Sequence, residues 1–156
     1  MERRVVVTGL GAITPIGNNI EEFWNGIKNS TNGIDEIKTF DTANCNVKLA
    51  AEVKNYNEED YFDKKEAKRM DKFTQFALIA SKEAAKDAGI DLKAEGNKID
   101  PTRVGAIIST GIGGLITIQN QCDVLKEKGM NRVSPFFIPM SIANMAAGMV
   151  SIELRN

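Results

Sequence analysis

Val5 to Gly17 read VVVTGLGAITPIG. A β-branched run enters glycines spaced G-x-G, which is how a dinucleotide-binding loop begins. That fingerprint needs a third glycine opening directly into a helix, so that the helix N-terminus faces the pyrophosphate. Gly9 and Gly11 fit, but the third position is Thr14, and Pro15 follows it. A residue before proline is biased to extended backbone, so no helix begins there. No acidic residue follows a second strand at the expected place, since Asp35 sits among turn residues. The Gly-Lys-Ser/Thr of a P-loop is also missing. The stretch therefore reads as a buried strand, Val5 to Thr8, with a tight irregular exit loop, and a nucleotide-dependent oxidoreductase is disfavoured.

Outward from this loop, strands and helices alternate. Asn18 or Asn19 caps a first helix, with Glu21 and Glu22 in its first turn and Ile20, Phe23, Trp24 and Ile27 on one face. Val47, Leu49, Ala51 and Val53 alternate with Lys48, Ala50 and Glu52, which suggests a strand with one buried face. Asp63 and Glu66 have capping-box spacing. The strongest helix carries Phe73, Phe76, Ala77, Ala80, Ala84 and Ala88 on its buried side, with Lys82, Glu83, Lys86 and Asp87 opposite, and stops at Gly89. Alanine on a buried face implies close approach to a neighbour.

A second buried strand is expected over Val104 to Ser109. After the loop Gly111-Ile112-Gly113-Gly114, a helix begins near Leu115, with Leu115, Ile118, Cys122 and Leu125 on one face and Gly129 as its stop. Pro135 and Pro139 bracket two aromatics, and the spacing predicts an extended loop there. Ile142, Met145, Ala146 and Met149 mark another helical stripe, read as core. The class is α/β with a largely parallel sheet.

Composition limits the chemistry. The chain has 156 residues, a net charge of −1, 42% hydrophobic and 26% charged residues. No bulk field favours nucleic acid or an anionic membrane. No apolar run reaches the ~18 residues of a membrane span, and MERRVVV lacks a signal-peptide core, so a cytoplasmic setting is expected. Cys45 and Cys122 are read as reduced thiols. Histidine is absent. The chain cannot run Ser-His or Cys-His nucleophile activation within itself, and no metal site is expected.

Four stretches together, RRVVVTGLGAITPIG, RMDKFTQFALIASKEAAKDAGI, RVGAIISTGIGGL and RVSPFFIPMSIANMAAGMVSIELRN, resemble a known family over the whole chain. It is that of the bacterial 3-oxoacyl-[acyl-carrier-protein] synthase II enzymes, elongating β-ketoacyl synthases of fatty-acid synthesis with a thiolase-like fold of alternating helical layers and mixed sheets. The resemblance implies that the opening glycines serve close packing and bind no nucleotide. It implies a Cys-His-His site whose members fall beyond Asn156, so that residues 1–156 are expected to be an N-terminal fragment of the synthase N-terminal domain, with no catalytic residue of their own.

The resemblance further implies that Lys65, Lys68 and Arg69, within Lys64 to Arg69, dock the acidic acyl carrier protein. It places Ile112 at the acyl-pocket wall, and Phe137 in that pocket across the interface of a homodimer. The helices after Leu115 and Met140 would belong to the interface region. No cofactor is implied, because the phosphopantetheine arm belongs to the substrate. A non-catalytic partner subunit of the chain-length-factor type remains the alternative.

Overall fold

The computed structural model describes residues 3–94 and 98–155. Met1 and Glu2, which open the MERRVVV reading, and Asn156, which closes the last motif, lie outside the described residues.

Helix α1 (Ile20–Lys28) is capped by Asn19, whose side chain accepts the Glu22 N–H. Strands β1 (Asp35–Glu36) and β2 (Leu49–Ala50) form a two-residue antiparallel pair. Helix α2 (Lys64–Ala67) starts at Asp63, whose carboxylate accepts the N–H groups of Lys65 and Glu66. Those two donors hold the Asp63 carboxyl below its ordinary value, helped by the Lys65 and Arg69 charges. Helix α3 (Lys72–Asp87) has its own cap, Asp71, and ends before Gly89 at φ +65°. That left-handed backbone is the reason for glycine there. Helix α4 (Leu115–Lys128) runs to Gly129 at φ +81°. Helices α5 (Phe137–Ser141) and α6 (Met145–Arg155) follow.

The core lies between α3 and α6, with Phe62, Ala67, Met70, Leu78, Ile79 and Val150 buried together. Ala146 of α6 is fully buried. The expected buried stripe of α3 is only half of the story. Thr74, Gln75, Leu78 and Ile79 are its most buried residues, while Ala80, Ala84 and Ala88 carry the glycine loop.

Several expectations are corrected. Among the described residues the only sheet is the small antiparallel pair, where a largely parallel sheet was expected. Neither Val5–Thr8 nor Val104–Ser109 enters a ladder, and their apolar side chains are not all buried: Val5 is 95% and Ile107 97% exposed. The second segment does alternate, since Ala106 and Ile108 pack on the core while Ile107 faces away. A strand is buried on both faces only when both have cover, and here one side has it.

The expected apolar face of the β2 region is turned outward at Val47 and Leu49. Trp24 and Ile27 of α1, Leu115 and Leu125 of α4, and Cys122 are exposed as well, so Cys122 is not core. Both cysteines are free thiols. Pro139 does not prevent a helix at 137–141, because it sits in the first turn of α5, where its missing N–H has no helical partner to lose.

Candidate functional site

The glycine loop is built against α3. A Cβ on Gly9 would fall within contact distance of the Ala84 carbonyl oxygen, and one on Gly11 against that of Ala80. Loop and helix backbones therefore touch, and the small residues on both sides permit it. Two of the loop N–H groups are engaged by carboxylates. Leu10 donates to Asp87 Oδ2 at 2.9 Å, and Ala12 and Ile20 donate to the two oxygens of Glu83, each at 2.9 Å. Glu83 and Asp87, expected on the solvent side, thus anchor the loop. A phosphate would meet two carboxylates beside the loop, which counts against the nucleotide reading on electrostatic grounds.

The basic segment stands on one short turn. Lys65, Lys68 and Arg69 are exposed, and none forms an ion pair within 4.0 Å among the described residues. Ala67 and Met70 pin the same turn into the core. The Arg69 guanidinium lies 4.9 Å from the centroid of the Phe136 ring, which brings the segment against the proline-bracketed stretch that leads to Phe137.

Buried Gln75 anchors the turn from below. Its amide donates to the carbonyls of Ala67 (3.1 Å) and Met70 (3.3 Å), and its oxygen accepts the Tyr56 hydroxyl at 2.5 Å. Burial, then the Glu58 charge, push the Tyr56 phenol up to about 12.

The loop from Gly111 to Gly114 meets α5. Gly113 has φ +84°, and a Cβ there would strike the Ser141 carbonyl oxygen. The Gly114 N–H donates to that same oxygen at 3.0 Å. Ile112 is 63% exposed and stands outside the core. Phe137, the first residue of α5, is half-buried. The fold thus brings the loop of Ile112 and the helix of Phe137 into backbone contact within one chain.

Two polar residues went unread in the sequence. Gln75 sits inside the long helix among apolar neighbours, and no local pattern marks it. Asp71 had a signal, an Asp immediately before an apolar-periodic helix, which is the N-cap position. Its second partner, Thr117, is 46 positions away, and that pairing has no local signature. No group of three or more metal-ligating side chains occurs among the described residues. No described helix is long and apolar enough to cross a membrane.

The described fold is thus a helical core with an exit loop packed on the alanines of α3 and a glycine loop leaning on α5. The family model for the N-terminal domain of β-ketoacyl synthase matches residues 2–155, and the chain belongs to this family. It is 49% identical over 152 residues to 3-oxoacyl-[acyl-carrier-protein] synthase 2 of Staphylococcus aureus strain COL, covering 97% of this chain and 36% of that protein. The chain thus spans about a third of the length of this curated relative.

Two solved structures share the fold. The ishigamide ketosynthase/chain length factor superposes with a TM-score of 0.79 at 24% identity, covering 99% of this chain and 38% of that one. The AntDE:AntF complex, a type II PKS acyl-carrier protein with its ketosynthase bound to the hexaketide, gives 0.76 at 22%, covering 99% and 40%. The fold is accordingly thiolase-like, as these ketosynthases are.

Proposed function

We propose that the chain supplies the N-terminal part of an enzyme that elongates fatty acyl chains. A primer held as a thioester is attacked at its carbonyl by the carbanion left when malonyl-carrier loses carbon dioxide; the carbon–sulfur bond breaks, the thiol that held the primer is released, and a β-ketoacyl-carrier results. The observation that carries this reading is the 49% identity to a synthase 2, spread over 97% of the chain. The chain itself holds no histidine, so nucleophile activation and decarboxylation belong to residues outside it. The 156-residue chain alone is expected to show no turnover with acyl- and malonyl-carrier substrates. Turnover that vanished on mutating Cys45 or Cys122 would overturn this.

In this reading Lys65, Lys68 and Arg69 dock the acidic acyl carrier protein. Their exposure and the rigid turn beneath them support it, as does a fold neighbour captured with a carrier protein. Ile112 forms the wall of the acyl pocket, and Phe137 reaches it from the second subunit of a homodimer. The exposed apolar stripe of α4, Leu115 and Leu125, supports an interface there.

The test uses the whole ketosynthase containing this segment. Reversing Lys65, Lys68 and Arg69 to Glu should raise KM for carrier-bound substrates. The effect should shrink as salt rises, because exposed charges are screened over about 8–10 Å at physiological ionic strength. A short carrier-free thioester should turn over as before, and equal loss on both substrates would mean that the segment is structural. Ile112→Phe should exclude long primers and spare short ones, since each excluded methylene forgoes roughly 0.8 kcal/mol of burial.

A second reading, a non-catalytic chain-length-factor subunit, is favoured by the fold neighbour of that description. The residue at the strand-to-helix elbow of the whole protein separates them: Cys for a synthase, Gln or another residue for the partner.

A further inference from the structure

Asp71 is a buried carboxylate, 6% exposed, that the proposed chemistry leaves unused. It stands directly between the basic turn and α3. Its Oδ1 accepts the Phe73 N–H at 3.4 Å, capping its own helix. Its Oδ2 accepts both the N–H (2.9 Å) and the hydroxyl (2.7 Å) of Thr117, in the first turn of α4. Helix α4 has Gly114 at its N-cap position and no side-chain cap of its own. Asp71 therefore supplies, from another helix, the acceptor that the first-turn N–H groups of α4 require. Its negative charge also suits the positive ends of both helix dipoles.

Gly114 is enclosed on both sides. A Cβ on it would lie 3.1 Å from Asp71 Oδ2 and 2.9 Å from the Ser141 Cα. Gly114, at the end of the glycine loop, is thus close to both Asp71 and the end of α5. Ile112 projects from this loop two residues before the pinned glycine. On the other side, Gln75 fastens the carbonyls of Ala67 and Met70, which flank Lys68 and Arg69. The basic turn and the glycine loop are held through neighbouring residues of one helix start.

We propose that Asp71 is a positioning residue that ties the start of α4 to the start of α3. It holds the Gly111–Gly114 loop, and Ile112 with it, in fixed relation to the basic turn, and so sharpens the acyl-length limit at that wall. The inference rests on the reading that Ile112 lines the acyl pocket. Two charge-assisted hydrogen bonds to the first turn of α4, the helix that follows the loop directly, make a firm wall of it. With one or both removed, the loop shifts by fractions of an ångström and long chains are no longer judged as strictly.

The experiment measures kcat/KM against carrier-bound primers of increasing length in the whole ketosynthase, for wild type, Asp71→Asn, Thr117→Val, Thr117→Ser and the Asp71→Asn/Thr117→Val double variant. Asp71→Asn, which keeps an acceptor oxygen but not the charge, should change the long-to-short selectivity ratio about fivefold to tenfold, the scale of the difference between a charge-assisted and a neutral hydrogen bond. Thr117→Val should move it in the same direction by less, and Thr117→Ser, which keeps the hydroxyl, should restore it. The double variant should match Asp71→Asn alone, because both act on one contact. KM for the carrier should stay near wild type.

A uniform loss at every length that tracks melting temperature would show Asp71 to be merely structural and overturn the inference. So would Thr117→Ser behaving like Thr117→Val. If Asp71→Asn does not fold, the Val-against-Ser comparison at Thr117 decides alone. If the wild type does not condense, or Ile112→Phe imposes no cutoff, the proposed function itself fails, and this inference with it. A normal wild type and an effective Ile112→Phe, beside unchanged ratios in Asp71→Asn and Thr117→Val, would sink the Asp71 inference only.

Discussion

Two sets of apolar residues in this chain have opposite fates. In α3 and α6, Leu78, Ala146 and Val150 are buried to 3% exposure or less. In the segments around Val5 and Ile107, equally apolar residues stand 95% and 97% exposed. The difference is partners. The helices satisfy their own backbones and need only a complementary face, which each offers the other. An extended segment needs hydrogen-bonding neighbours on its edges and cover on both faces before the side chains of both faces can leave water. Burial is therefore a property of the pair, and a local pattern records only half of it.

The largest effect is expected where the helical side is most tightly closed. Gly11→Val would push a side chain into the Ala80 carbonyl of α3. The loop would have to leave the helix and release the Glu83 hydrogen bond. A loss of about 3 kcal/mol is expected, since backbone cannot yield as a flexible side chain does. Urea unfolding of wild type and variant checks it, and an unchanged midpoint would mean that the loop does not rest on α3.

An intermediate effect belongs to the polar contact inside the same core. Tyr56→Phe leaves the Gln75 oxygen without its hydroxyl donor, at a cost of about 1–2 kcal/mol. The same contact has a pH signature. The Tyr56 phenol is raised from 10.0 to about 12, so the folded state favours the protonated form. That contribution is complete below the ordinary phenol range and fades as pH rises through about 12. The stability difference between wild type and Tyr56→Phe should therefore narrow at alkaline pH. A gap that stays constant from neutral pH upward would contradict the burial of the hydroxyl.

The smallest effect is expected on the open side. Ile107→Lys in the isolated chain should change stability by less than about 0.5 kcal/mol, because an exposed residue has no packing to lose. It should also reduce self-association, which light scattering would read. In the whole ketosynthase the same change should destabilise strongly if other segments cover this face. A large loss in the isolated chain would instead show that Ile107 is already packed there.

Much of this molecule was legible along the chain. The caps Asn19 and Asp63, the stops Gly89 and Gly129, and the helices starting near Ile20 and Leu115 follow from local rules whose partners lie within a few residues. The close approach implied by Ala80, Ala84 and Ala88 was readable too, because small residues at helical spacing have few other uses. What could not be read was which element made that approach, or that Glu83 and Asp87 hold it through the loop N–H groups.

The sequence by itself determined helices α1, α3 and α4, the cap of α1 and the stops of α3 and α4, the case against a nucleotide loop and the lack of histidine chemistry within residues 1–156. Each follows from residue type and short-range spacing. Only the tertiary structure decided that Asp71 reaches Thr117, that Gln75 fastens the basic turn, that Arg69 stacks on Phe136 and that the loop of Ile112 leans on α5. These contacts join residues far apart in the chain, where hydrogen-bond geometry and close packing, with no repeating local signal, choose the partner.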